Sequence, residues 1–487
     1  MNNVQAFPQI VITINGKLLT VQDMQGLAEI RVRQGLSVPA QCELLFRAPP
    51  GPLTEAEKVK IGAKVQVDVQ GTLFIGEVTA VEHVYTAQNV HEIYVRSYDA
   101  LYRMRKNQSV RIFKNARLSD LARKFAAQAN VNLAKSNTRG VNTQWPLVYQ
   151  HQQSDLELLN DLAGQVGLYA VIKGAELNLV SLDGRGDPIQ LTLGGNLNTA
   201  RIETNADALV NRVEVRSWNP QNAEYSQIDS ARLNGITVSS RISQQIATSK
   251  RTLINKPSAH SGAGKIAAEA ELMQRAATGV RFWGITDGHS GLQPGVIIDV
   301  VGVAREVEGL YVLTEAVHTI NAQSGYETEL FTMPPTAPKK SSSDVITLGK
   351  VIDVRDSDNL GRLKASLPTY GDVETDWMQM LSPGAGAGKG FVAPPEKGDM
   401  VLILLVHGNP AFGLVIGGLY SEKSKPPETR GLGNKIAGNA WITAGGQRVE
   451  LDDGKNVIRL ENNEGAYIEI AGDKITIAGG AIDFKRV

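Results

Sequence analysis

The sequence predicts a mainly β chain divided into several domains, and three observations carry that reading. Apolar and polar residues alternate over short runs at residues 10–14, 29–33, 64–69, 73–84 and 92–96, the period of strands with one buried and one wet face. Forty-eight glycines against 6% aromatic residues favour many tight turns over long helices. The 487 residues exceed what one core holds, so roughly three or four domains are expected.

Taken in order, residues 1–100 read as a first β-barrel-like domain, with a proline-marked loop at 49–52. Residues 101–200 read as a small α/β insert. There Ser119 is expected to cap a helix with Leu121, Phe125 and Ala129 on one face. Ser154 and Glu157 make a capping box ahead of Leu156, Leu159, Ala163 and Val166, and Gly167 supplies the stop. Residues 201–335 read as a second β-barrel-like domain, with strands at 201–204 and 212–216 and a helix near 263–277. This part echoes the first. Gly62, Val65 and Val67 find counterparts in Gly295, Ile298 and Val300, Gly71 in Gly309, and His83, Ala87, Gln88 and Glu92 in His318, Ala322, Gln323 and Glu327. Three matches in the same order point to an internal duplication.

A proline-bearing polar linker follows at 336–345. Residues 346–427 hold five short apolar or β-branched runs separated by turn residues, the pattern of a small five-stranded barrel of OB type. In the tail, 431–487, apolar residues recur as i, i+2 pairs: Val449/Leu451, Ile458/Leu460, Ile468/Ile470, Ile475/Ile477 and Ile482/Phe484. Strands this short cannot make a core alone. Three chains wound together bury all of these pairs on a common axis, so the expectation is an intertwined triple-stranded β-helix in a homotrimer, with a simple meander as the disfavoured alternative.

Within the barrel segment, Gly361 and Arg362, then Trp377, then Pro394 and Gly398, then Gly408 and Pro410, and finally Gly418, occur in an order that resembles the OB domain of contractile-injection spikes. That family includes the VgrG-like proteins of type VI secretion, phage central spikes and extracellular injection particles. The run from Tyr149 to Leu162 resembles the hub signature of the same family. The resemblance implies a trimeric hub over residues 1–335, a collar and a needle. Two like domains per chain then give six modules, which match a hexameric inner tail tube to a three-fold spike. It further implies baseplate proteins as partners, a separate PAAR-type tip protein contacting Ile482 and Phe484, transient contact with a target membrane, and room for effector cargo. The localisation implied is synthesis in a bacterial cytoplasm, then a place in the injection particle or virion tail.

Other function classes find little support. Fifty basic residues balance fifty acidic ones, so no global attraction to nucleic acid or anionic membrane exists. An OB barrel binding single-stranded nucleic acid through Trp377, Phe391, Phe412 and Tyr420 is the first alternative, but basic residues around them are matched by acids. A tail-associated cell-wall hydrolase is the second, but no carboxylate pair is marked as a catalytic dyad. The Gly384–Gly390 string lacks the Lys-Ser/Thr ending of a phosphate loop and reads as a hairpin loop. Cys42 lies in an alternating run and reads as a buried strand thiol. The seven histidines, His83, His91, His151, His260, His289, His318 and His407, show no metal-ligand spacing, so neither metal nor cofactor is expected. The N-terminus lacks the basic and apolar regions of a signal peptide.

Overall fold

The computed structural model describes residues 9–48, 59–87, 91–136, 138–219, 224–232, 249–254, 263–336, 345–408, 410, 412–426, 438–483 and 485. The inter-domain linker, the 49–52 loop, His260 and Phe484 lie wholly or largely outside these residues. The chain divides into two compact units, residues 1–342 and 343–487. Among the described residues no helix is long and apolar enough to cross a membrane.

In the first unit the alternating runs become β1 (Ile10–Ile14), β2 (Leu27–Gly35), β3 (Val38–Arg47), β4 (Lys64–Val69), β5 (Thr72–Tyr85) and β6 (His91–Tyr98). They pair in the order β2-β3-β6-β5-β4-β1. Alternation places Ala40, Cys42, Leu44 and Phe46 of β3 in one core with Val65, Val67 and Val95. Burial pushes the Cys42 thiol pKa far above its ordinary value, leaving it an inert core residue as expected.

The insert packs a short helix, Leu101–Lys106, and two longer ones, α1 (Leu118–Gln128) and α2 (Asp155–Gln165), around Leu121, Phe125, Leu156, Leu159 and Leu162. The capping box forms as read: Glu157 N–H donates to Ser154 Oγ at 3.3 Å, and Ser154 N–H donates to Glu157 Oε2 at 2.7 Å. Ser119 is not the cap of α1. Arg117 holds that position without a side-chain bond, because the backbone carbonyls of Thr143 and Val141 already accept from Leu118 and Ser119 N–H. The hub-signature run forms a buried network in which Arg111 and Asn107 hold Asp155, and Gln150 donates to Asp155 Oδ1 at 2.6 Å.

The insert ends earlier than residue 200. Strands β7 (Arg185–Thr192) and β8 (Leu197–Thr204) pair instead with β10 (Val296–Val301) and β9 (Val280–Asp287). Together with β11 (Gly309–Val312), β12 (Glu315–Asn321) and β13 (Gly325–Phe331), these strands repeat the first order, running β8-β9-β13-β12 and, through β11, β10-β7. Hydrogen bonds repeat as well. Gly62 N–H donates to Val78 O and Gly295 N–H to Leu313 O, both at 2.7 Å, and both glycines sit at φ +88°. The hairpins share a register: His83 faces Ile93 and Tyr85 faces His91, as His318 faces Thr328 and Ile320 faces Tyr326. The repeats are not two separately closed barrels, because β2 pairs with β12 and carries one eleven-stranded sheet through both. Between β8 and β9, helix α3 (Ala263–Gly279) covers a three-stranded sheet around Val213, Val215, Ala268 and Leu272.

The second unit opens with the OB-type sheet: β14 (Val345–Asp353), β15 (Lys364–Leu367), β16 (Met400–Leu405) and β17 (Gly413–Leu419), flanked by short strands Val373–Glu374 and Gln379–Met380. Paired backbone bonds of 2.8 and 3.0 Å between Leu363 and Met378 join the two ends of this sheet, closing it over Val351, Ala365, Val401, Ile403 and Val415. The glycine string forms a hairpin through paired bonds between Gly386 and Lys389.

The tail departs from its expected winding. It folds as an antiparallel meander, β18 (Gly438–Ile442), β19 (Arg448–Asp452), β20 (Val457–Glu461), β21 (Tyr467–Ala471) and β22 (Lys474–Ala478), each strand hydrogen-bonded to the next in the same chain. The tight turns at Asn462–Gly465 and Gly472, the latter at φ +60°, return each strand directly onto its predecessor. Nor is Ile482 on a fifth apolar strand, since residues 481–483 form none. The additional strand is β18, at the other end of the meander.

Candidate functional site: the bare face of the C-terminal sheet

Strand alternation sorts the meander into two unlike faces. One carries Trp441, Val449, Leu460, Ile468 and Ile477 in a cross-strand row, and Leu451, Ile458, Ile470 and Ile475 in the next. From Val449 to Ile477 these side chains are 36% to 66% exposed. A groove of about 550 Å³ follows the first row and is lined also by Ile482. The opposite face is polar yet compact. Arg459 donates to Glu469 at 2.9 Å and Glu461 at 3.1 Å and lies 3.9 Å from the centre of the Tyr467 ring, while Glu450 and Asp452 are buried. The carboxylates Glu461 and Glu469 raise the pKa of Arg459, so this charge persists at any working pH.

A sheet with its charged face satisfied and its aliphatic face open has its solvation inverted. Removing the rest of each aliphatic side chain from water is worth roughly 1 kcal/mol, together several kcal/mol per chain. This face can therefore bind another apolar surface, and it contains no acid–base constellation. Sequence reading assigned Val449, Leu451, Ile458, Leu460, Ile468, Ile470, Ile475 and Ile477, with Ile482 and Phe484, to the core of a trimeric needle. In the single chain the first eight lie on this open face, together with Trp441, which precedes the recurring pairs and was missed. Phe391, from the end of the glycine hairpin, packs against Trp441 with ring centres 5.0 Å apart.

The OB-motif residues do not converge on a pocket; they shape loops. Arg362 is buried and donates to Asp356 at 2.6 and 2.9 Å and to Asp358 at 2.5 Å. Asp356 also accepts from the backbone N–H groups of Asp358, Leu360 and Arg362, and the guanidinium holds its carboxyl far below the usual carboxylate range. Gly361 sits at φ +67° in this loop. Lys364 Nζ lies 4.7 Å from the Trp377 ring centre, which occupies that ring with a cation of the same barrel. Gly398 donates to Val351 O at 2.8 Å, Gly418 faces Val401 across the β16–β17 ladder, Gly408 ends a short 3-10 turn, Pro410 is buried and Pro394 is on the surface.

Among the described residues no group of three or more His, Cys, Asp or Glu is placed to hold a metal ion. Two histidines judged unrelated in sequence do meet, however: the β5–β6 hairpin brings His83 Nδ1 to 3.4 Å from His91 Nε2. His318, at the equivalent place in the second repeat, is buried instead. Its Nε2 lies 3.1 Å from Leu292 O, and Nδ1 lies 3.1 Å from both Tyr326 Oη and Thr328 Oγ1. Desolvation pushes its pKa down to about 4.

With these features in place, likeness to known proteins can be stated. Residues 347–420 match the family described as the type VI secretion system/phage-baseplate injector OB domain. Residues 54–322, more than half of the chain, match the family of the Alg8 N-terminal domain. No curated protein matches the sequence. Among solved structures, the 43 kDa tail protein of prophage MuSo2 from Shewanella oneidensis is 14% identical with a TM-score of 0.52, covering 67% of this chain and 98% of that one. The E. coli c3393 protein, described as a type VI secretion component similar to the T4 tail proteins gp27 and gp5, is 14% identical with a TM-score of 0.52 over 84% and 99% of the two chains. The lidded Francisella PdpA–VgrG complex gives 11% identity and a TM-score of 0.60 over 98% and 81%. At such identities the structural likeness is one of fold. The match over residues 54–322 makes the chain a member of the Alg8 N-terminal domain family, while the injector OB domain match and the shared fold support a likeness to VgrG-type spike and baseplate proteins.

Proposed function

We propose that three copies of this chain assemble about one axis as hub, collar and needle, joining a hexameric inner tail tube and baseplate proteins to a point that breaches the target membrane. The bare apolar face of the C-terminal sheet carries this reading. Three such faces turned inward make a triangular prism with a dry axis and charged outer walls. The collar has a matching feature: Ile346, Leu348, Leu414 and Ile416 are exposed on the outside of the OB sheet. The duplicated hub strands supply two like modules per chain, hence six per trimer, the number a hexameric tube presents.

In this reading the work is mechanical and the chain is not an enzyme. It is made in the bacterial cytoplasm and acts as part of the fired particle. A separate PAAR-type protein caps the far end of the prism near Ile482, where the outer edge of β22 offers unpaired backbone groups. VgrG is found with a partner, PdpA, in the Francisella complex, and by that likeness the spike has a further protein partner, for which effector cargo is the proposed role.

Light scattering tests the assembly. The expected mass is about 158 kDa, three times 52.5 kDa. Ile468→Asp should yield monomers, because it sets three unpaired carboxylates on a dry axis, whereas Thr476→Lys on the charged face should leave the trimer intact. A folded wild-type monomer at micromolar concentration, or an unperturbed Ile468→Asp trimer, refutes the proposal.

A further inference from the structure

We infer that His83 and His91 form a bidentate imidazole site for a borderline divalent transition metal ion such as zinc, nickel or copper. The pairing register makes the site. Tyr85 lies directly opposite His91 across the β5–β6 ladder, and His83 is two residues before Tyr85, so all three stand on one side of the hairpin. The rings are nearly parallel, with His83 and His91 14° apart and Tyr85 stacked on His91 at 7° with a centroid distance of 4.5 Å. Tyr85 thus holds the His91 ring upright.

The separation suits a shared ion. Zinc–nitrogen bonds of about 2.0–2.1 Å at a tetrahedral angle set two ligand nitrogens about 3.3 Å apart, and the observed distance between His83 Nδ1 and His91 Nε2 is 3.4 Å. With ring centres 5.7 Å apart the nitrogens face each other edge to edge, and a turn of the exposed His83 side chain aims both at one ion. His83 and Tyr85 are exposed, so the remaining coordination positions open to water. Neighbouring carboxylates are otherwise engaged: Glu92 accepts from Arg47 at 2.8 Å and from Tyr94 at 3.1 Å, and Glu82 accepts from Arg96 at 2.6 Å. The second repeat shows why the pairing is not required by the hairpin itself. There the position equivalent to His91 is Tyr326, and His318 spends both ring nitrogens on protein partners.

The test is calorimetric titration of the tag-free full-length protein with zinc chloride, and separately nickel chloride. One ion per chain is expected. His83→Ala and His91→Ala should each weaken binding by about tenfold or more, while His289→Ala leaves it unchanged. Copper bound at the same site should show hyperfine coupling to two imidazole nitrogens, which either substitution reduces to one. Circular dichroism confirms that the surface variants remain folded. No binding by the wild type, or binding indifferent to both substitutions, overturns the inference and leaves the pair as a hydrogen-bonded imidazole couple only.

Discussion

The hairpins β5–β6 and β12–β13 occupy equivalent places in the two repeats and share one register, yet their central histidines are chemically opposite. His318 is enclosed because β12 has a strand on each side, β13 and β2, and because the turn carrying Leu292 lies over its ring. The part of β5 that carries His83 pairs only with β6, since β4 extends no further than Glu77 along it. Neighbouring strands, rather than the histidine or its hairpin, decide whether the imidazole is a neutral core hydrogen-bonding group or an open ligand.

That contrast can be broken by charge. His318→Asp should be the most damaging change, costing about 4 kcal/mol, because it buries an anion beside the Leu292 carbonyl. His83→Asp should cost no more than about 0.5 kcal/mol. Urea denaturation followed by fluorescence checks both; equal effects at the two sites would remove the proposed difference in burial.

Acid sharpens it. His318 titrates near pH 4 in the folded state against 6.5 ordinarily. Between those values the unfolded chain binds the additional proton, so this group's contribution is full above about pH 6.5 and is lost as pH falls toward 4, by roughly 3 kcal/mol in all. Asp99 works in the opposite sense: burial raises its pKa from 3.8 to about 7, so its contribution is lost as pH rises through that range. The measurement is therefore a difference, in which His318→Gln, which retains a donor for Leu292, should flatten the acid-side loss relative to wild type. An unchanged pH profile would contradict the burial of His318.

The smallest effect is expected from His91→Tyr, which gives the first repeat the His–Tyr pair of the second. Stability should stay within about 0.5 kcal/mol of wild type, while zinc binding by calorimetry should weaken about tenfold or more, as in His91→Ala. Undiminished affinity would detach the ion from the hairpin.

Much of this was legible in the chain. Alternation identified β1 to β6 because a strand's side-chain period is local, and the Ser154 capping box formed because both partners lie within one turn. The duplication was visible in Gly62 and Gly295, which share a positive φ that few residues other than glycine adopt readily. That the tail's apolar pairs share a face was likewise legible, since the i, i+2 spacing alone puts Val449 with Leu451 and Ile468 with Ile470.

What the sequence determined by itself, then, was which residues are strands, which of their faces are apolar, and that two segments are copies. Only tertiary structure decided what lies beside them. Ser119 lost its cap role to carbonyls from the 141–143 turn, and residues 185–204 left the insert to complete the second repeat. The tail's strands returned on themselves rather than winding, and Trp441 joined their apolar row from outside the recurring pattern. His83 met His91 while His318 was sealed away. In each case the deciding contact is a cross-strand or cross-element partner, chosen by register and by how many neighbours a strand has. Those are properties of assembled backbone hydrogen bonds, and no local period in the chain encodes them.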